Sequence, residues 1–185
     1  MIFSQLSLSA VALLTSLQGV VAAPAAEAVE VTPKPSYDIL DIIPVGDVNI
    51  TLYGILDEQP EVAPAVHKRC GSNVKHCDPN WKNLARDDHC LALINSFRDP
   101  KFSNSLVPNG ARSMCVGKGD GPCCVAWSKG LSGVHYSDLV GSAFTIYSQC
   151  GRENFNNHGW LSGWTTDTLL GGQCVNQCLS AAEWC

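Results

Sequence analysis

The sequence predicts an α+β fold, a small disulfide-rich sandwich in which two helices pack on a short antiparallel sheet. Three observations predict it. All ten cysteines of the 185-residue chain lie at or after residue 70. Two stretches in that part carry apolar residues at helical spacing. Between and after them run short apolar segments broken by glycine-rich turns, the mark of short strands.

The chain reads as three segments. Residues 1–23 form a signal peptide: Leu6 to Leu14 is an apolar run of the right length, and Ala22, Ala23 and Ala25 offer small residues for cleavage. A membrane span needs about 20 apolar residues, so stable insertion is not expected. Residues 24–69 form a propeptide that is acidic and free of cysteine, ending in Lys68-Arg69, a kexin-type processing site directly before Cys70. Residues 70–185 form the cysteine-rich mature domain. Sulfur at this density in a short exported chain marks a disulfide scaffold of an oxidising compartment. The even count, Cys70, Cys77, Cys90, Cys115, Cys123, Cys124, Cys150, Cys174, Cys178 and Cys185, permits five bridges, whose connectivity is one of roughly 945.

Within the propeptide, Tyr37 to Pro44 and Val48 to Leu56 are apolar and β-branched around Pro44-Val45-Gly46-Asp47, which reads as a β-hairpin. It is either a cover for a face of the domain or a plain ordered extension. Asn49-Ile50-Thr51 is the one glycosylation sequon of the chain and lies there. After the junction a first helix starts at Asp78-Pro79 or at Asp87-Asp88, presents Cys90, Leu91, Ile94 and Phe97 on one stripe, and stops at Asp99-Pro100. A polar connection, Lys101 to Gly110, leads to a hairpin, Ala111–Val116 and Cys123–Ser128, around Gly117-Lys118-Gly119-Asp120-Gly121-Pro122. That glycine loop lacks the pattern of a phosphate loop. Neighbouring side chains of a strand point to opposite faces. Cys123 and Cys124 therefore bridge to two different elements, with Cys90 and Cys150 as candidates. Ser137-Asp138 caps a second helix with Leu139, Ala143, Ile146, Tyr147 and Cys150 on its stripe and Gly151 just past its end. Thr165 to Leu170 reads as a strand ended by Gly171-Gly172. Cys174, Cys178 and Cys185 share one face of a short C-terminal helix.

Charge and motif exclude several functions. The net charge is −5, but residues 1–69 hold eight acids against three bases, and the remainder is balanced at nine of each. A mature domain without an overall basic field is not expected to bind nucleic acid. The five histidines are scattered and the cysteines lack two zinc knuckles, so neither metal nor cofactor is expected. No nucleophile motif is present, and His135 beside Asp138 reads as a helix-start residue rather than a base. No catalytic residue is assigned. Trp127 and Trp184 read as packing residues. Trp160 and Trp164, with His158 in the asparagine-rich loop between them and the second helix, form the candidate binding surface.

Cys115, Cys123-Cys124-Val125-Ala126-Trp127, Tyr136-Ser137-Asp138-Leu139-Val140, Cys150-Gly151 and Gly172-Gln173-Cys174 through Cys178 form a familiar series. Over about residues 70–185 the chain resembles small secreted fungal proteins of the WD-like domain family, and more distantly necrosis-inducing effectors and killer-toxin-like proteins. The resemblance implies an α+β sandwich, a fungal source and an extracellular location. The expectation is a secreted, disulfide-stabilised, effector- or toxin-like interaction protein, monomeric, that engages an extracellular protein or carbohydrate partner. The alternatives are a small secreted hydrolase or enzyme inhibitor, and a wall-associated structural protein.

Overall fold

A computed structural model describes residues 36–56, 70, 72–155 and 159–185. The expected signal peptide over residues 1–23, the expected processing pair Lys68 and Arg69, and His158 lie outside these residues. The strands in chain order are β1 (Asp38–Val45), β2 (Val48–Gly54), β3 (Val74–Cys77), β4 (Ala85–Arg86), β5 (Ala111–Val116), β6 (Cys123–Trp127), β7 (Trp160–Leu161), β8 (Gly163–Leu170) and β9 (Gln173–Ser180). The helices are α1 (Asp87–Arg98), α2 (Pro100–Ser103) and α3 (Val140–Phe155), with 3-10 turns at Trp81–Asn83 and Tyr136–Leu139.

The class is α+β, but the sheet is not short. Seven strands pair antiparallel in the order β1-β2-β5-β6-β9-β8-β3, and β4 and β7 form a separate pair. Among the described residues, three helices stand where two were expected. The sheet grows at both ends. The β1–β2 hairpin, which lies in the expected propeptide, adds to β5, and the segment after Cys70 adds to β8 as β3. Residues Pro35–Cys185 thus form one unit that includes both sides of the Lys68-Arg69 junction.

Alternation gives the sheet two different faces. Leu52 stands opposite Met114, Met114 opposite Val125, and Val125 opposite Leu179. All four have at most 1% of their surface exposed. This row lies under α1 and α3. Cys90 of α1 bridges to Cys123 on the same face of β6. Gln177 of β9 donates from Nε2 to the Leu139 carbonyl at 2.7 Å and accepts from Ser142 Oγ at 2.5 Å, so α3 is held by a buried amide whose polar atoms are matched. The opposite face carries Thr51, Cys115, Cys124, Ala126, Trp164 and Cys178. Residues 181–185 fold back towards it, tied by Cys178–Cys185 and by the Ala181 N–H donating to the Asn83 carbonyl at 2.9 Å.

Several local expectations change. α1 starts at Asp87, and the Asp78-Pro79 start yields only the 3-10 turn. The buried stripe of α1 is Cys90, Leu93, Ile94 and Phe97, while Leu91 is 37% exposed. The true stripe keeps the i, i+3, i+4, i+7 spacing, which Leu91 does not. Asp99-Pro100 ends α1 and starts α2, because proline fits the first helical position and Asp99 Oδ1 accepts from the Lys101 N–H at 2.9 Å. α3 runs through Gly151 to Phe155. Gly151 is therefore an interior helical residue, and nothing around it requires glycine.

Cys174 and Cys178 lie on a strand, not a helix, and Cys185 follows that strand in the terminal bend. A spacing of four satisfies the helical period and also the strand period of two, so Cys174 and Cys178 share a face in either. The pairing of β9 with both β6 and β8 decides for the strand. The sulfur map is Cys70–Cys174, Cys77–Cys150, Cys90–Cys123, Cys115–Cys124 and Cys178–Cys185. Cys123 does reach α1, but Cys124 pairs with Cys115 directly opposite on β5, and Cys150 of α3 reaches β3 instead. Cys124 points to the face away from α3, where Cys150 cannot follow.

Candidate aromatic groove

The most chemically varied surface lies where α1 begins. Arg86 and Asp87 are fixed there by backbone bonds. The Arg86 N–H donates to the Gly121 carbonyl and the Asp87 N–H to the Gly159 carbonyl, both at 3.0 Å. β4 pairs with β7, placing Arg86 opposite Trp160. The Trp160 ring lies over Gly121 so closely that a Cβ at that residue would collide with it. Gly121 also has φ +73°, so glycine is required on both counts.

Trp160, Asp87 and Gly159 line two neighbouring depressions. One, of about 310 Å³, is lined by Asp87, Phe144, Tyr147, Ser148 and Trp160. The other, of about 480 Å³, is lined by Arg86, Asp87, Asp88, Asp120 and Trp160. Phe144 and Tyr147 are one turn apart on α3 and stack at 6.2 Å between ring centroids, with the Arg98 guanidinium 4.8 Å from the Phe144 centroid. Burial, and secondarily the charge of Asp87, raises the Tyr147 phenol above its ordinary value. Arg86 donates to Asp88 from Nε at 3.0 Å and from Nη2 at 2.6 Å. That hydrogen bond holds the Asp88 carboxyl below the usual carboxylate range. Apolar ring faces thus stand beside carboxylates that accept hydrogen bonds, with no large unbalanced positive charge.

The two tryptophans singled out from sequence do not share a site. Trp164 lies on β8 with its ring stacked on His76 at 5.2 Å. It lines a different hollow, of about 270 Å³, together with Trp184, Asp78 and Asn83. Asn83 Nδ2 donates to Asp78 Oδ2 at 2.7 Å. The chain passes between Trp160 and Trp164 from the small two-stranded sheet into the main sheet, with Ser162 outside both strands. The bend cancels the shared face that a spacing of four would give. Both rings are half-buried, and Trp127 is fully buried, its Nε1 donating to the Ala111 carbonyl at 2.9 Å.

His135 takes a structural role. Its N–H donates to Asp138 Oδ2 at 2.8 Å in a capping box at the start of the Tyr136–Leu139 turn. Among the described residues, no cluster of His, Cys, Asp or Glu could hold a metal ion. None of the described helices is long and apolar enough to cross a membrane. Asn49 is exposed near the tip of the β1–β2 hairpin, opposite Pro44. Asp87, Phe144, Tyr147 and Asp120 were not singled out from sequence, nor was Trp81, which is 74% exposed. The available signal was the Phe144/Tyr147 pair, one helical turn apart, with Phe144 off the buried stripe.

Residues 53–185 match the family model described as Fungal WD-like. Neither a curated protein nor a solved structure matches the chain.

Proposed function

The chain belongs to the Fungal WD-like family, and from that premise we propose that it is an exported, effector- or toxin-like interaction protein that binds a neutral carbohydrate outside the cell. Export follows a signal peptide over residues 1–23, and Lys68-Arg69 is cut on the way. Five disulfides agree with an oxidising compartment.

The observation that carries the reading is the groove at Trp160. A pyranose ring has an apolar C–H face and an equatorial rim of hydroxyls. The C–H face stacks on an aromatic ring, and carboxylates take the hydroxyl protons. Trp160, Tyr147 and Phe144 supply the faces, and Asp87 and Asp120 the acceptors, around depressions large enough for one or two sugar rings. The hydrolase alternative draws less support, since His135 lines neither depression. Calorimetric titration of the purified protein with neutral oligosaccharides tests the proposal. Binding is expected, and Trp160→Ala should weaken it at least about tenfold, in line with the weight of a central tryptophan in a site. Trp164→Ala, in the separate hollow, should leave it nearly unchanged. Equal binding by Trp160→Ala, or none by any neutral sugar, would overturn the proposal.

A further inference from the structure

We propose that the leader hairpin, β1–β2, is kept after processing as a non-covalently held strand pair, so that the exported molecule consists of two chains. This rests on the reading of Lys68-Arg69 as a cut. The hairpin lies wholly before that site, yet it is built into the sheet. β2 pairs with β5 from Ile50 opposite Val116 to Gly54 opposite Ala111. Ile50 and Leu52 have 0% and 1% of their surface exposed and belong to the same core as Met114, Val125 and Phe97.

The backbones meet closely at the far end. A Cβ on Gly54 would collide with the Gly110 carbonyl, and the Ile55 N–H donates to that same oxygen at 3.0 Å. Leu40, Ile43 and Val45 of β1 pack against the core from the outside.

No bridge can hold the hairpin. It contains no cysteine, and all five disulfides lie between residues 70 and 185. Its attachment after the cut is hydrogen bonding along β5 and apolar burial alone. Discarding it would turn β5 into an edge strand, with unpaired N–H and C=O groups beside newly uncovered Met114 and Val116. Such an edge invites pairing with another chain. A leader that merely escorted folding would not need to supply two fully buried core residues. The outer face of β2 carries Asn49, so a glycan there would travel with the mature protein.

The test uses the full chain exported by a host with a kexin-type protease. Beside it runs a variant with a site for a sequence-specific endoprotease inserted after Arg69, cut once purified. Denaturing mass spectrometry without reductant should give two components, one starting at Cys70 and one ending at Arg69. Native mass spectrometry should give their sum. A single component that still carries the residues before Cys70, from the unaltered protein under denaturing conditions, would overturn the cut, while the inserted-site variant still decides retention. A native mass of residues 70–185 alone, or of a homodimer joined through the vacated β5 edge, would overturn retention. Leu52→Ala should weaken the hold of the cut hairpin at least about thirtyfold on dilution, as loss of a buried leucine implies. Ile43→Ala, at a half-buried outer position, is the milder variant if Leu52→Ala fails to fold. No change in either would also count against retention.

Discussion

Deleting Cys77–Cys150 should cost more stability than deleting Cys178–Cys185. A cross-link stabilises mainly by restricting the unfolded chain, and the restriction grows with the loop it closes. The first bridge spans 73 residues and the second 7. With Cys70–Cys174 still closed, the shorter path from Cys77 to Cys150 runs through that bridge and makes a loop of about 31 residues, for which the chain-entropy relation gives ~3.7 kcal/mol, against ~2.4 kcal/mol for the seven-residue loop. Packing works in the same direction, since Cys150 is fully buried between α3 and the sheet, whereas Cys185 sits half-buried in the terminal bend. The bridge also holds β3, a four-residue edge strand, against α3. Paired Cys→Ala variants, with the other four bridges confirmed by mass, can be unfolded by heat and by guanidinium. With a domain of this size losing about 2–4 °C per kcal/mol, the fall in Tm should be about one and a half times as large for Cys77→Ala/Cys150→Ala. Equal losses, or a larger loss from the short loop, would refute the reasoning.

Two further outcomes follow from packing and burial. Gly163→Ala should destabilise by about 1–3 kcal/mol, because a Cβ there would lie 2.6 Å from the His76 carbonyl oxygen and 2.8 Å from Cys150 Sγ, neither of which can swing away. An unchanged denaturation midpoint would show that α3 and β8 are not as close as described. Burial, and then the charge of Asp41, pushes the Tyr136 phenol up to about 12. Its folded pKa lies above the unfolded value of about 10, so the stability it contributes is complete below about pH 10 and is lost as pH rises towards about 12. Unfolding free energy measured across that window should fall, and the fall should shrink in Tyr136→Phe. A flat profile would remove the argument.

What could be read from sequence was what is settled locally. The β5–β6 hairpin is announced by two apolar runs around Gly117, Gly119 and Gly121, all of which adopt positive φ. The β1–β2 hairpin is announced by its apolar, β-branched runs about Pro44-Val45-Gly46-Asp47, and the stripe of α3 by Leu139, Ala143, Ile146 and Cys150. Long-range partners were hidden. Nothing local says that β2 will pair with β5, or that Cys150 will find Cys77 rather than Cys124. The strand at Cys174–Cys178 was misread because a spacing of four fits two periods and only its neighbours choose between them. The groove was half legible: Trp160 stood out as an aromatic in a polar loop. Asp87 and Tyr147 were absorbed into a helix start and a core stripe, and only the packing of α3 beside β7 turns them towards one hollow.

Cys123 and Cys124 constrain β6 in a way that neither could alone. Sliding this strand by one residue against β5 would carry each sulfur to the wrong side: the one meant for α1 would point to the face away from the helices, and the one meant for β5 would point up under them. Neither partner could then be reached. Closing both cross-links is possible only in the correct alignment, so oxidation itself proofreads how the central strands are paired.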